Sequence, residues 1–422
     1  DLFKTPEEAI TNYLGGNDID SDNLSRNLLS TTPINSFLAS NPPNIVFILM
    51  ESMNGYYLDL NNQETNLLGK LEEQLSDCYV FRNFLTSGSL TIFSLEGILL
   101  GTPLAPLSQS VYQSRSISSS VAKPFKDHSY STSFITGGEL GWRNLDKFIY
   151  HQYFDNVEGG ATLKKLYPDA SICEWGVNDE YLFDRILQIL KSSEGKSQFI
   201  FGFTISNHTP YSTPKTYKQF PLKINDEVQS RLVVSPEIAY KNLLAYQYSN
   251  NCLGQFIENI KNSPLGNNTI IVATGDHTNH LLFKFSDKNL LKDYSVPLIL
   301  FVPEKYRPTH KVNTNKFGSH NDIFPTIFNL ALSNATYFNT GSNLLSEDYH
   351  DNLGIYNNSV VFNDYGCVDF QMTPLFYKWE SDSVKLLTPV YTSEDSHLNN
   401  LFLKARSYLA SMNYFIMSEL KN

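Results

Sequence analysis

Basic residues are in short supply in this 422-residue sequence: 32 lysines and arginines face 43 aspartates and glutamates, a formal net charge of −11. Nucleic acid is thereby excluded as a partner, because phosphate binding needs clustered Lys and Arg. Broad electrostatic adhesion to an anionic membrane is excluded on the same ground. Cysteine is scarce too. Cys78, Cys173, Cys252 and Cys367 lie far apart with no C-x-x-C spacing, which rules out zinc-knuckle and thioredoxin-like sites. Two disulfides in an oxidising compartment and four free thiols both remain open. No apolar run reaches the ~20 residues needed to span a bilayer. The chain starts at Asp1 without Met or a signal-like segment, and so reads as a processed or trimmed extramembrane piece. Internal repeats and low-complexity tracts are absent.

What is present suffices for a large core, with 41% hydrophobic and 13% aromatic residues. At this length one large α/β domain with a smaller appendage is expected. Residues 1–43 are polar. They hold a helix signal at Thr5-Pro6-Glu7-Glu8 and a Ser/Thr/Asn-rich stretch ending in Asn41-Pro42-Pro43, and read as a connector. From Asn44 onward, apolar runs alternate with helical patterns. Strands are expected over 44–50, 131–135, 199–205, 269–273 and 297–302, continuously apolar as in a parallel sheet buried on both faces. Helices are expected over 93–100, 179–191, 235–261 and 322–332. The alternation predicts an α/β fold, a doubly wound and mostly parallel sheet, over residues 44–346. Residues 347–422 are expected to form a small α+β subdomain. Its strands would lie at Ser359-Val-Val-Phe and Ser383-Val-Lys-Leu-Leu, with a helix from Glu394 to about Ser411.

In such sheets sites form in the loops at the C-terminal ends of strands, where Glu51, His208, Asp276 and His277 all fall. The aspartate and histidine of Thr274-Gly-Asp-His can reach one cation, and oxygen plus imidazole suits Zn²⁺ or Mn²⁺. Glu51, ending the run 44–50, would on its own more often be a solvated or capping group. Thr91, in Ser87-Gly-Ser-Leu-Thr91, would on its own cap a helix beginning near Phe93. Together Glu51, Thr91, Asp276 and His277 make a compact metal site with a threonine nucleophile. A threonine hydroxyl is a poor nucleophile at its free pKa, and metal coordination supplies the acidification.

His208, in Thr204-Ile-Ser-Asn-His-Thr-Pro-Tyr, is either a turn histidine or a group that binds phosphate or protonates a leaving oxygen. Trp142-Arg143-Asn144 would bind a phosphate and stack on a polar head group, or else be a structural tryptophan beside a surface arginine. His320 precedes a helix and either contacts substrate or helps cap it. His280, close after His277, is a candidate supporting partner of the metal.

Several segments taken in order resemble the alkaline phosphatase/sulfatase superfamily, over roughly residues 44 to 332. They are 44–52 (N-I-V-F-I-L-M-E-S), 86–103 (T-S-G-S-L-T-I-F-S-L-E-G-I-L-L-G-T-P), 174–184 (E-W-G-V-N-D-E-Y-L-F-D), Asn207-His208-Thr209-Pro210, Gly275-Asp276-His277 and 318–326 (G-S-H-N-D-I-F-P-T). Within it they look most like the phosphoglycerol transferase branch, which includes lipoteichoic acid synthase and the transferase that decorates periplasmic glucans. The resemblance implies a divalent metal ion on Glu51, Thr91, Asp276 and His277, with Mn²⁺ foremost and Zn²⁺ or Mg²⁺ open. It implies that Thr91 takes up the phosphoryl group as phosphothreonine, and that Trp142, Arg143, Asn144, His208 and His320 contact substrate. The implied donor is a phospholipid, phosphatidylglycerol foremost, and the acceptor a glycan or lipid hydroxyl. Phosphoethanolamine transfer, phosphodiester hydrolysis and a catalytically inactive binding module are the alternatives. The implied location is the extracytoplasmic face of the bacterial cytoplasmic membrane (periplasm or cell surface). N-terminal membrane helices would tether the full-length protein, with residues 1–43 as a juxtamembrane connector.

The chain also departs from its resemblances. Thr91-Ile-Phe-Ser lacks the proline and arginine of the sulfatase motif C/S-x-P-x-R, so sulfate-ester hydrolysis is not expected. Lipoteichoic acid synthases carry a histidine before a Gly-Asp turn, where this chain has Thr136-Gly137-Gly138. Their Trp-Asn-Arg is Trp142-Arg143-Asn144 here. Phosphoethanolamine transferases carry a proline soon after the threonine and a further histidine about a dozen residues beyond Asp-His, and this chain has neither.

Overall fold

In the computed structural model, which describes residues 2–16, 19–104, 106–279, 281–347, 352–381, 385–390 and 395–421, the first apolar run forms strand β1 (Asn44–Met50), buried throughout. Its side chains part to two cores: Ile45, Phe47 and Leu49 enter one, Val46, Ile48 and Met50 the other. Burial on both faces is why the run lacks polar alternation. Six more strands complete the sheet: β2 (Cys78–Phe81), β3 (Ser131–Thr136), β4 (Asn156–Glu158), β5 (Gln198–Phe203), β6 (Thr269–Gly275) and β7 (Leu298–Phe301). Their spatial order is β2-β7-β6-β1-β5-β3-β4. The strands from β6 through β4 are parallel.

The run over 297–302 was expected in a mostly parallel sheet, but β7 pairs antiparallel with β6. Strand β2 in turn pairs antiparallel with β7. A buried apolar run specifies burial and not direction, and the connection to β7 is too irregular to signal one. Strand β5 stops at Phe203 rather than 205 because Asp179 takes the backbone N–H groups of Ile205 and Ser206, bending the chain into a loop.

The helices that position the site and its frame are α1 (Pro6–Tyr13), α2 (Thr91–Leu100), α3 (Asp179–Lys191), α4 (Pro236–Lys261), α5 (Ile323–Ala331) and α6 (Ser396–Lys421). Helices α2 and α5 bury Leu95, Leu99, Ile323 and Ile327 on one face of the sheet. On the other, α3 and α4 bury Leu182, Ile186, Leu243 and Leu253. Helices on both faces of a sheet give the three-layer α/β arrangement.

Beyond the main sheet, β8 (Leu353–Tyr356), β9 (Val360–Asn363), β10 (Gly366–Asp369), β11 (Leu375–Trp379) and β12 (Leu387–Val390) form an antiparallel meander in chain order. Ser383 and Val384, where one strand was expected to start, lie outside the described residues, as does Glu394 at the expected helix start. Helix α6 continues well past Ser411, because Met412, Phe415, Ile416 and Leu420 keep its apolar face buried.

The polar N-terminal tract packs against the rest of the chain. Thr5 caps α1, its side chain accepting from Glu8 N at 3.1 Å. Tyr13 meets Tyr408 of α6 edge-on, ring centroids 5.5 Å apart. The segment Leu29–Thr31 pairs antiparallel with Thr336–Phe338. Among the described residues no helix is long and apolar enough to cross a membrane.

Candidate metal centre

Strands β1 and β6 lie side by side, and their last pair is Met50 with Gly275. The next residue on each is an acid, so Glu51 and Asp276 leave the sheet together. A side chain on Gly275 would collide with the Met53 carbonyl, so the close approach needs glycine. Ser52, at a left-handed φ of 50°, donates its backbone N–H to Asp276 Oδ1 at 2.8 Å.

Asp276 is fully buried at 0% exposure. Its Oδ1 also accepts from His277 N at 2.7 Å, while Oδ2 has no hydrogen-bond partner. His277 Nδ1 lies 3.0 Å from the Thr278 carbonyl oxygen and so must carry the proton there. That leaves the Nε2 lone pair facing the acids, 3.5 Å from Asp276 Oδ2 and 3.7 Å from Glu51 Oε1. Fixing one ring nitrogen to orient the other is how proteins prepare an imidazole ligand. Glu51, 3% exposed, accepts from Ser52 Oγ at 2.8 Å on Oε1.

Thr91 completes the group. Its Oγ1 is 3.3 Å from Glu51 Oε2 and 3.2 Å from His277 Nε2. The helix does not start near Phe93 with Thr91 as cap. Thr91 is its first residue, and the preceding Leu90 takes the extended cap conformation without a side-chain bond. The threonine hydroxyl is therefore not consumed in capping and points at the acids.

Two buried carboxylates this close repel, and the electrostatics record it. Burial first, and Asp276 second, push the Glu51 carboxyl up to about 8. Burial would lower His277, but the Asp276 and Glu51 charges outweigh it and raise the imidazole above its ordinary value. Among the described residues, Glu51, Asp276 and His277 are the group whose donor atoms (within 4.8 Å of one another) can hold a metal ion. An unpartnered buried oxygen, a lone pair fixed inward and two repelling acids fit a divalent cation of mixed oxygen and nitrogen preference.

His320 does not face this group. It is 2% exposed, its Nδ1 accepts from Ser87 N at 3.1 Å, and its Nε2 donates to the Gly275 carbonyl at 2.9 Å. Burial lowers its pKa to about 3, so the ring is neutral. It ties the loop before Thr91 to the end of β6, and both nitrogens are spent. His280 lies outside the described residues.

Beside Thr91 opens a cleft whose walls include Trp142, Trp175, His208, Glu139, Phe203 and Ile205. His208 Nδ1 sits 2.8 Å from the Thr209 carbonyl, and its ring lies 4.0 Å from that of Trp175. Trp142 lines the cleft, whereas its neighbours turn away. Arg143 donates to Gln109 Oε1 at 2.9 Å and Asn144 Nδ2 to the Ser108 carbonyl at 3.2 Å. Both take left-handed φ values, 54° and 60°.

Sequence reasoning passed over four residues that shape the site. Trp175 reaches the cleft because Gly176 crosses Gly137 closely, with Val177 N bonded to the Gly137 carbonyl at 3.0 Å. Glu139 follows the same Gly-Gly turn. Asn207 Nδ2 bonds the carbonyls of Glu51 and Ser52, both at 3.1 Å. Thr204 Oγ1 accepts from Glu51 N at 2.8 Å. Trp175 and Asn207 stand in segments that carry the superfamily resemblance, and that was the available signal.

Comparison with known proteins gives the arrangement a family setting. The sequence profile described as Sulfatase matches residues 43–333. Lipoteichoic acid synthase 1 of Bacillus subtilis (strain 168) is 24% identical over 350 residues, covering 77% of this chain and 52% of that protein. Phosphoglycerol transferase I of Salmonella choleraesuis (strain SC-B67) is 27% identical over 265 residues, covering 58% of this chain and 32% of that protein. The chain thus spans about half, or less, of these curated relatives. Among solved structures, a protein of the alkaline phosphatase superfamily from Vibrio parahaemolyticus superposes with a TM-score of 0.75 at 18% identity, covering 98% of both chains. At that identity the likeness is one of fold.

Proposed function

The chain belongs to the Sulfatase family, and from that premise we propose that it is a metal-dependent phosphotransferase that moves a phosphoglycerol head group from phosphatidylglycerol to a glycan or lipid hydroxyl. The observation that carries this reading is the Thr91 hydroxyl held between Glu51 and His277 beside the unpartnered oxygen of buried Asp276. Relatives named lipoteichoic acid synthase and phosphoglycerol transferase support the choice of head group.

Glu51, Thr91, Asp276 and His277 would hold the cation, Mn²⁺ by preference. When bound it supplies Lewis-acid charge that acidifies the threonine hydroxyl and stabilises charge on the phosphoryl oxygens. Thr91 Oγ1 gives its proton to solvent and forms the bond to phosphorus, while the bond from phosphorus to the diacylglycerol oxygen breaks. His208, acting as an imidazolium whose Nδ1 proton is engaged by the Thr209 carbonyl, would give its Nε2 proton to the leaving oxygen and be left with a lone pair there. An acceptor hydroxyl then passes its proton back to His208 and displaces Thr91, which recovers a proton from solvent. Trp142 and Trp175 would pack on the head group. The proposed setting is the extracytoplasmic face of the cytoplasmic membrane, with the full-length protein tethered there by N-terminal membrane helices.

One observation favours a second donor. Among the described residues the cleft walls carry two indoles, whose faces also suit the ammonium group of phosphatidylethanolamine, while Glu139 there is already paired with Lys164 Nζ at 2.9 Å.

The test is intact mass after incubation with Mn²⁺ and each phospholipid separately. A glycerol-phosphate adduct on the wild type, absent from Thr91→Ala, is expected. An ethanolamine-phosphate adduct would move the chain to the second donor. No adduct together with no diacylglycerol release would sink transfer and leave a metal-binding module.

A further inference from the structure

Helix α2 is apolar almost all round (T-I-F-S-L-E-G-I-L-L), yet Glu96 lies inside it at 0% exposure. An acid in such a place costs stability unless it is bonded, and a broken local rule marks a constraint from elsewhere. No step of the transfer uses it. Burial raises its carboxyl, with bonds from Ser108 and Leu107 opposing. Its partners show what it serves. Oε2 accepts from Leu107 N at 2.5 Å and Oε1 from Ser108 N at 3.1 Å, so one carboxylate grips the short turn Leu107–Gln109.

That turn in turn grips the cleft wall. The Ser108 carbonyl accepts from Asn144 Nδ2 at 3.2 Å, and Gln109 Oε1 accepts from Arg143 Nη1 at 2.9 Å. Arg143 and Asn144 both hold left-handed backbone; asparagine adopts it readily, but arginine keeps it only when its surroundings enforce it. The residues on either side, Trp142 and Leu145, line the cleft next to Thr91. A continuous path of hydrogen bonds thus runs from the helix that carries Thr91, through Glu96 and the 107–109 turn, to the wall that faces Thr91.

We infer that Glu96 is a positioning residue that sets the place of Trp142 relative to Thr91 and so governs how tightly the donor head group is held. The inference rests on the phosphotransferase reading for its kinetic half only. It acts through backbone N–H groups and two side chains, and touches neither substrate nor metal ligand.

The experiment uses Glu96→Gln, which keeps the shape but turns an amide N–H₂ toward one of the two backbone donors. Asn144→Gly, which keeps the left-handed backbone while deleting the far bond, guards against a variant that merely misfolds. Donor KM is expected to rise about fivefold in each, with kcat within about twofold, the pattern of lost uniform binding. The double variant should rise little further, because both changes break one path. Amide hydrogen exchange should quicken at 141–146 in both single variants, with Mn²⁺ affinity unchanged. A Glu96→Gln protein whose exchange quickens only at 106–109, or whose KM stays at the wild-type value, would overturn the inference. A wild type without turnover would fail the phosphotransferase reading alone, and exchange at 141–146 would then decide the positioning role.

Discussion

Asp179 and Asp276 are both buried at 0% exposure, and Asp179 bonds the start of the loop that carries His208. The protein finishes one and leaves the other open. Asp179 accepts from Ile205 N at 2.9 Å, Ser206 N at 3.2 Å and Ser249 Oγ at 2.8 Å, so each of its oxygens has a donor. Asp276 has two donors on Oδ1 and none on Oδ2. Burying an acid without completing its bonds costs free energy, and folds seldom leave it so without something else to complete it. The difference separates a carboxylate that shapes the chain from one with an oxygen left open, which the proposed metal site would fill.

Exchanging the two acids tests the comparison hardest. Asp276→Asn should lower transfer by about 10³-fold or more, since one charge of the metal site goes. Its Mn²⁺-free melting temperature should not fall, and added Mn²⁺ should no longer raise it. Wild-type turnover in this variant would erase the distinction. Asp179→Ala should do the reverse, costing about 2–3 kcal/mol of stability through orphaned donors while keeping the thermal shift with Mn²⁺. A urea midpoint equal to wild type would show that Asp179 is not the structural member of the pair. Chelation sharpens the contrast. EDTA should lower the melting temperature of wild type and of Asp179→Ala, and leave that of Asp276→Asn in place.

The smallest effect concerns a third acid, Glu158, which is completed by an arginine. Arg185 donates to it from Nε at 2.8 Å and Nη2 at 2.7 Å. Burial would raise this carboxyl, but the Arg185 and Asn156 bonds prevail and hold it below its ordinary 4.5. A lowered folded pKa contributes stability above the unfolded value, and that stability is lost as pH falls through the lowered one. Arg185→Gln should therefore cost about 1 kcal/mol at neutral pH, limited by solvent around the guanidinium, and less in acid. Equal urea-midpoint differences at both pH values would refute the assignment.

Much of the frame was legible in the sequence because burial on two faces leaves a plain mark. Strand β1 falls on the run 44–50, and α3 on the pattern 179–191. The acids at the ends of β1 and β6 could be read because each follows an apolar run directly. What escaped depends on contacts between distant segments. The direction of β7 is not written in its apolar letters. Trp175 joins the cleft only through the crossing of Gly176 over Gly137, and the N-terminal tract is held by α6, which no local pattern announces. Arg143 and Asn144 follow Trp142 in the chain, both in left-handed backbone, but bond to the 107–109 turn rather than line the cleft, Arg143 with its guanidinium 5.9 Å from the Trp142 ring.

The pairing of β1 with β6 also has a kinetic meaning. Ser52 and Asp276, bonded across the site, are 224 residues apart in the chain. Closing so long a loop comes late in folding, since its entropy must be met before the contact returns anything. During synthesis Glu51 leaves the ribosome long before His277 exists. A cation held by both Glu51 and His277, as proposed, would therefore be taken up only by a chain already folded through β6. Under that proposal the ion would be drawn from whatever surrounds the protein where folding ends, whatever ions surrounded it where synthesis began.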